Sequence, residues 1–574
     1  MENSFENQGQ QGTVQAPTYN TQQLNQGQQV QGPQFQQAQN TAQGPQPLPQ
    51  QPQPQRVSFT PTSRQGITSE QYNQMREAKR IHSIDSMRKY GFLAFLFALI
   101  HTICLYRNTS GITYPFYMIG AFVIMHFIRR ADGLSILRNR SGKMGISLFY
   151  MISLFALSIS KCTTANEFLL GIDGLAITLL LFSFVIYLYV DTTGWDVSSW
   201  FLGIIATMVI PFETVGDPIS DLSAWSNARG GRVNVKKRNT ILGVIIGIGI
   251  AIPLLYVVLS LLSSADAVFK EILEVIFDVL ILPDSIWDLI GIAMFFVATY
   301  WVVYTVPKRL MLKGLPVKPA RHGKFNPVIA ITFTSITGFF YLIFSVVQII
   351  YLFAGKMTLP ENYTYAEYAH EGFYQLLVVS IINLCLVVIC QKCFRESMVL
   401  KIVLTIIALC TYVMIISSAS RMFMYIAVYH LTFLRVLVLW FLAVIFLWLT
   451  YLVVGMYVDA FPVYTACMIT VTVMYVVFAF AHPDYFIAKY DMATMNTSTL
   501  GGEMDRDGGS VKGYLTREIS LDAVPALAKD RELLEEYSIH MDKKSEKYEK
   551  YYKEARSFNF SRFIARRYVA ALDK

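Results

Sequence analysis

From about Gly91 to Phe480 the chain repeats one pattern: apolar runs of some 20 residues, separated by short polar stretches. Runs of that length cross a bilayer as single helices, because only a helix satisfies every backbone N–H and C=O inside lipid. Such runs begin near Gly91, Ile112, Gly145, Phe168, Thr240, Ile286, Pro327, Phe373, Val399, Leu431 and Pro462, which predicts about eleven spans. The fold class expected is all-α: a polytopic transmembrane helical bundle with a disordered N-terminal arm and a small helical C-terminal tail. One apolar stretch, "SSWFLGIIATMVIPFE" at 198–213, is short for a span and precedes the basic "ARGGRVNVKKRN"; it is read as re-entrant or interfacial, since a crossing there would set every later loop against its charge.

The ends break the pattern. Residues 1–66 are rich in Gln, Pro, Asn and Gly, with too little aliphatic content to offset the entropy of folding, and are expected to be a disordered cytosolic arm. They carry no apolar core after a basic start, so they do not read as a cleaved signal peptide. Residues 67–90 place Tyr72, Met75, Ile81, Ile84 and Met87 at helical spacing among Arg76, Lys79, Arg80, Arg88 and Lys89, behind a Thr68/Gln71 capping box; this is an interfacial basic helix or a solvated basic linker. The transmembrane domain is drawn at 91–481 and the tail at 482–574. Within the tail, "DRDGG" has the look of a calcium loop, but its acids stop after Asp507 and no closing Glu follows, so it reads as a turn.

Composition agrees with lipid as the main partner: 53% hydrophobic and 15% charged residues, with a mean hydropathy of +0.40. The formal net charge of +8 does not point to nucleic acid, because the basic residues cluster beside the apolar runs. Those clusters encode orientation. Arg129, Arg130, Arg138, Arg140 and Lys143, then Lys308, Arg309, Lys313, Lys318, Arg321 and Lys324, then Lys392 and Arg395, belong on the cytoplasmic side. An odd number of spans then puts the N-terminus in the cytoplasm and the tail outside. Of the seven cysteines, all but Cys162 lie in or beside apolar runs, so no disulfide framework is implied.

Candidate chemistry concentrates in "SRMFMYIAVYHLTFLRVLVLW", where Arg421, Tyr425, Thr432 and Arg435 share a helix face and Arg435 lies a turn inside the apolar boundary. Asp266, in "LLSSADAVF", and Asp173, in "LLGIDGLAI", fall at similar depth on the same side. A buried Asp266 paired with Arg435 or Arg421 would make an outward-facing polar binding pocket; the plain alternative is that the arginines snorkel and the acid caps a helix. His430 has no second ligand at metal spacing, Cys390 and Cys393 lack a matching pair, and His101 and His126 read as satisfied core histidines. No phosphate-binding loop, metalloprotease His-Glu pair, nucleophile elbow or kinase signature occurs, and no cofactor, metal or catalytic residue is assigned.

Five pieces line up in order: "VLSLLSSADAVF", "RMFMYIAVYHLTFLRV", "HPDYFIAKYD", "YLTREISLDAVPAL" and "SFNFSRFIARR". From about Gly91 onward the chain resembles a bacterial polytopic membrane family known only as a domain of unknown function, of the DUF4153/DUF4173 type. The resemblance implies the architecture and a bacterial, Gram-positive cell membrane, with no activity attached. Arg421, Tyr425, Leu431, Thr432 and Arg435 fit its pattern, whereas His430 stands where a glycine, and His482 where an asparagine, would be typical. The expectation is a multi-pass envelope component, non-enzymatic, with partners reached through the tail; the alternatives are a secondary transporter or lipid-linked-substrate handler, then an intramembrane transferase using Asp266 or Asp173.

Overall fold

The computed structural model describes residues 69–140, 142–230, 284–317, 323–353, 365–458, 460–495, 511–552 and 555–572, with short helical pieces between 247 and 272. The Gln-rich arm, Thr68, most of the span expected from Thr240, and "DRDGG" lie outside the described residues. All regular structure among the described residues is helical. Nine helices there are long and apolar enough to cross a membrane: Asn73–Leu105, Gly145–Thr163, Glu167–Tyr189, Trp287–Lys313, Pro327–Ile350, Gly372–Cys393, Met398–Tyr429, Phe433–Tyr457 and Val463–Phe480. The helix expected from Ile112 forms over Thr113–Ala131, but Tyr114, Tyr117, His126 and the terminal Arg129 and Arg130 make it less apolar than the nine.

The first helix, α1 (Ser69–Ser86), passes through a π turn at Met87–Gly91 straight into α2 (Phe92–Leu105). The basic segment is therefore continuous with the first span. The π turn sets Tyr90 toward α3 (Thr113–Ala131), where its hydroxyl donates to Asp132 at 2.5 Å. Next come α4 (Gly145–Thr163) and α5 (Glu167–Tyr189), and Tyr189 donates to the second oxygen of Asp132 at 3.2 Å. Arg129 is fully buried here: it donates to the carbonyls of Ser135 and Arg138 at 3.0 and 2.9 Å and stacks over Tyr189.

The short apolar stretch forms α6 (Val197–Glu213), bent by 51° against α7 (Asp217–Ala228). The remaining spans are α8 (Asp284–Lys313), α9 (Pro327–Phe353), α10 (Tyr365–Cys393), α11 (Met398–Tyr429), α12 (Phe433–Tyr457) and α13 (Val463–Phe480). Asp196, which caps α6, sits 3.4 Å from Lys392 at the end of α10, and Trp200 stacks on Tyr464 at the start of α13. At the far side of the bend, Lys308 reaches Asp217 at 2.9 Å and also Asp221, whose carboxylate takes the Tyr304 hydroxyl at 2.6 Å. Both parts of the bent pair are thus fastened to the bundle through Lys308 and Lys392, and the pair has the form of either a re-entrant segment or a broken span.

Tyr150, Leu154, Leu157, Phe184 and Leu188 form the centre of the largest apolar core, between α4 and α5. A separate core belongs to the tail: α14 (Pro483–Thr494), α15 (Val511–Arg517), the short turns over Leu521–Leu527 (α16, Val524–Leu527), α17 (Arg531–Tyr552) and α18 (Phe560–Val569) pack around Leu515, Leu527, Leu534 and Tyr537. Leu431, Phe433 and Val436 of the bundle join that core, so the tail is docked on the spans.

Lys308 and Asp221 are both buried, and removing one partner of such a pair leaves an uncompensated charge, at a cost of about 3–5 kcal/mol. Lys308→Ala is therefore expected to lower the thermal midpoint of the detergent-solubilised protein well below that of Lys392→Ala, whose Asp196 contact is half-exposed. Equal midpoints for the two variants would show that the Lys308 cluster does not hold α7 in place.

Candidate functional site

The motifs of the tail converge on "KCTTAN", the last turn of α4 and the loop that leads to α5. Asp522 is the centre: its carboxylate accepts the Thr164 hydroxyl at 2.5 Å, the Ala165 amide at 2.7 Å and the Ser561 hydroxyl, and faces the His482 imidazole at 3.5 Å. Asp484 accepts the Asn166 side-chain amide at 2.8 Å and the Ser520 hydroxyl. Asn559 caps α18 through its oxygen and donates with its nitrogen to the Thr164 carbonyl at 2.8 Å and the Lys161 carbonyl at 3.3 Å. Four segments far apart in sequence are thereby joined through two carboxylates that are almost wholly buried, 5% and 2% exposed.

A second knot lies at the break between α11 and α12. His430 holds φ +63° and ψ −175°, a backbone region that glycine enters freely and other residues enter at a cost of about 1–3 kcal/mol. The break persists because its groups are all engaged. Arg435 donates to the carbonyls of Tyr429 and His430, each at 2.6 Å, while its guanidinium lies 4.4 Å over the Tyr425 ring. Asp491 of α14 accepts the Leu431 amide at 2.9 Å, Tyr514 of α15 accepts the Phe433 amide at 2.9 Å, and the His430 imidazole meets the Thr494 hydroxyl at 3.0 Å. His482, between α13 and α14, is also left-handed, at φ +47°. The resemblance led one to expect glycine and asparagine at these two positions, and they are the residue types that tolerate positive φ best.

Of the residues singled out from sequence, the structure brings together Tyr425 and Arg435, and it does not bring Asp266 to either arginine. Asp266 is exposed and caps a helical turn, accepting the Val268 amide at 2.8 Å and the Phe269 amide at 3.4 Å. The expected pair of Asp266 with Arg435 or Arg421 is corrected accordingly: Arg435 donates to carbonyls at a helix C-terminus, which carry partial negative charge, and the carboxylate whose charge it feels is Asp491 of α14. Arg421 lies against the backbone of Gly372 on α10, in space that any side chain at that position would occupy. Asp173 is fully buried and accepts the Tyr475 hydroxyl at 2.8 Å on Oδ1, while its Oδ2 is buried without a hydrogen-bond partner. Beside it, Lys161 donates to the carbonyls of Thr109, at 3.0 Å, and Leu170, and lies 5.0 Å from the Tyr114 ring. His101 meets Thr299 and stacks on Phe295, whereas His126 is exposed beside Phe127.

Lys161, Asp484, Asp491 and Asp522 were the residues that sequence reasoning missed. The last three stood inside quoted motifs, each an acid flanked by apolar residues, and that flanking is the signal of a buried carboxylate. Among the described residues no group of three or more His, Cys, Asp or Glu side chains is placed to hold a metal ion.

The chain matches the model of the family described as Domain of unknown function (DUF4153) over residues 149–529. It belongs to that family. The match takes in α5 through α16 and most of α4, and with them Asp173, Lys161, Arg421, Arg435, Asp484, Asp491 and Asp522, but it begins after α3 and ends before α18, short of the extent expected from Gly91 to the C-terminus. No curated protein and no solved structure matches the chain. In this DUF4153 member, then, the matched region contains both knots that hold the tail helices α14–α18, which form a cap, to the bundle, although Ser561 and Asn559 are supplied from beyond it.

Burial raises the Asp491 carboxyl from the ordinary 3.8 to about 7, and burial also raises Asp484. The Asp522 hydrogen bond raises His482, against burial, whereas burial and then Arg435 lower His430. For the raised groups the docked state binds protons more tightly than the free state: the contribution of the two carboxyls is full below the ordinary carboxylate value and fades as pH rises through the raised value, about 7 for Asp491, whereas that of His482 is full below the ordinary imidazole value and fades only above it; His430 acts in the opposite sense. The thermal midpoint of the full chain is therefore expected to fall between about pH 4 and about pH 7, and Asp491→Asn, which keeps an acceptor for the Leu431 amide and cannot ionise, should flatten that fall. An unchanged slope in the variant would remove Asp491 as its cause.

Proposed function

We propose that this chain is a non-enzymatic component of a bacterial cell envelope, a multi-pass protein of the cell membrane that holds a rigid helical cap outside the cytoplasm for partner proteins to engage. The observation that carries this reading is where the charged groups are used: Asp484, Asp491, Asp522 and Arg435 are buried in the joint between cap and bundle. They serve to fix the cap. Sidedness is supported by charge, since Arg129, Arg138, Lys308 and Lys392 cluster at the end opposite the cap, as cytoplasmic loops do.

The test uses the full chain in its membrane, with exposed Glu535 and Arg138 each changed to Cys and reacted with an impermeant maleimide in spheroplasts. Glu535→Cys should label and Arg138→Cys should label only after permeabilisation, above the background of the unsubstituted protein. A photo-crosslinker at Glu535 or Ile539 should then give protein adducts that are lost when Asp522→Ala loosens the cap. Inverted labelling, or adducts indifferent to Asp522→Ala, would overturn the proposal.

A second reading, secondary transport, is favoured by one feature: Lys161 and Asp173 are buried together between α4, α5 and α13, and ionisable groups inside a membrane are costly enough to mark function. It predicts that proteoliposomes containing the protein and a pH-sensitive dye pass protons under an imposed potential, and that Asp173→Asn abolishes the signal. Identical traces for the two proteins would dismiss it.

A further inference from the structure

The chain enters α18 at the level where α2 ends and α3 begins: Arg556 donates to the Ile103 carbonyl at 3.0 Å, and the Ile112 amide to the Phe558 carbonyl at 2.9 Å. Ile103 and Phe116, in the neighbouring turns of those two helices, are exposed as lipid-facing residues of a bundle are. From there α18 buries Ser561 and Ala565 against the tail and turns Phe560, Phe563, Ile564 and Tyr568 outward. Phe558 packs edge-on to Phe560 with centroids 5.3 Å apart and lies 5.7 Å from Phe563, so the rings form one exposed patch. Arg566 and Arg567 are exposed on the same helix, and Arg567 lies 6.0 Å over Phe563.

We infer that α18 is an interfacial anchor, which lays the Phe558, Phe560, Phe563 and Ile564 face into the boundary of the bilayer that the bundle crosses and sets Arg566 and Arg567 on the phosphates of anionic lipids. Two features commit the patch to lipid. It continues the exposed apolar surface of α2 and α3 at the height where that surface meets the headgroups, and its basic side chains complement lipid phosphate, to which a guanidinium donates in bidentate fashion. Aromatic rings with arginines beside them are the composition of helices that lie in the interface plane. The inference goes beyond the proposed function and holds whichever side of the membrane the cap occupies.

The test places the full-length protein in phosphatidylcholine nanodiscs with and without phosphatidylglycerol, with an environment-sensitive dye on Phe563→Cys and, in a second preparation, on Ile564→Cys. Emission from the labelled unsubstituted protein is subtracted. Loss of emission with doxyl-labelled lipid, and none with iodide in the water, is expected at both positions, with the reverse at Glu535→Cys. Adding phosphatidylglycerol should deepen the lipid quenching, and Arg566→Ala with Arg567→Ala should cancel that gain. Iodide quenching at both positions would overturn the anchor and reserve the face for a protein; a gain that survives the double arginine substitution would overturn the assignment to lipid phosphate.

Discussion

The joint between cap and bundle rests on carboxylates that have left water. A buried charge or an unpaired buried polar group is expensive, so Asp522, Asp484 and Asp491 are tolerable only where donors are delivered to them. Those donors come from the α4–α5 loop, from the α11–α12 break and from the N-terminal turn of α18. Each donor is placed by a different part of the chain. Docking the tail on the bundle therefore supplies hydrogen bonds to its buried acids. Two of the acids still keep one buried oxygen without a partner, Asp484 Oδ1 and Asp491 Oδ2, which is why burial dominates their titration.

The break at His430 follows from the same demand. A continuous helix through Tyr429 and Phe433 would use the carbonyls of Tyr429 and His430 internally, leaving nothing for Arg435 and no free amide at Leu431 for Asp491. Turning His430 into a conformation unfavourable for a side chain releases those groups, and Arg435, Asp491, Thr494 and Tyr514 collect them. The local strain is small beside the charged hydrogen bonds that it permits. Histidine at 430 and 482 adds an imidazole contact to Thr494 and to Asp522, respectively, which glycine could not make.

The spans were legible in the sequence because lipid imposes length and apolarity residue by residue, and α6 stood out because its length and charge flanks were unlike those of the other apolar runs. The chemistry was less legible. Arg435 is visible as a charge inside an apolar run, but the run does not reveal that backbone carbonyls and the distant Asp491, rather than Asp266, would answer it; a carbonyl carries no signature in sequence. Asp266 shows the converse error, since an acid at the end of an apolar helix looks alike whether it pairs across the bundle or caps the next turn. The buried Lys161 escaped attention because it stands three residues from a helix end, where a lysine ordinarily reaches water.

The pieces that lie outside the DUF4153 match are not loose additions. α2 and α3 precede it and α18 follows it, yet Arg556 meets the Ile103 carbonyl, Phe558 the Ile112 amide and Arg562 the Ser110 hydroxyl, so the α2–α3 hairpin and the start of α18 bind one another. Gly111 is the hinge of that contact. It holds φ +123°, and a Cβ there would press into the backbone of Arg556 and Ser557, so the backbone conformation and the close approach both demand glycine. A chain that kept α18 without the α2–α3 hairpin would leave the Phe558 carbonyl and the Arg556 guanidinium without these partners, and a chain that kept the hairpin alone would open the same gap from the other side. The matched region supplies the platform, through the Thr164 and Lys161 carbonyls, on which Asn559 sets the two in register.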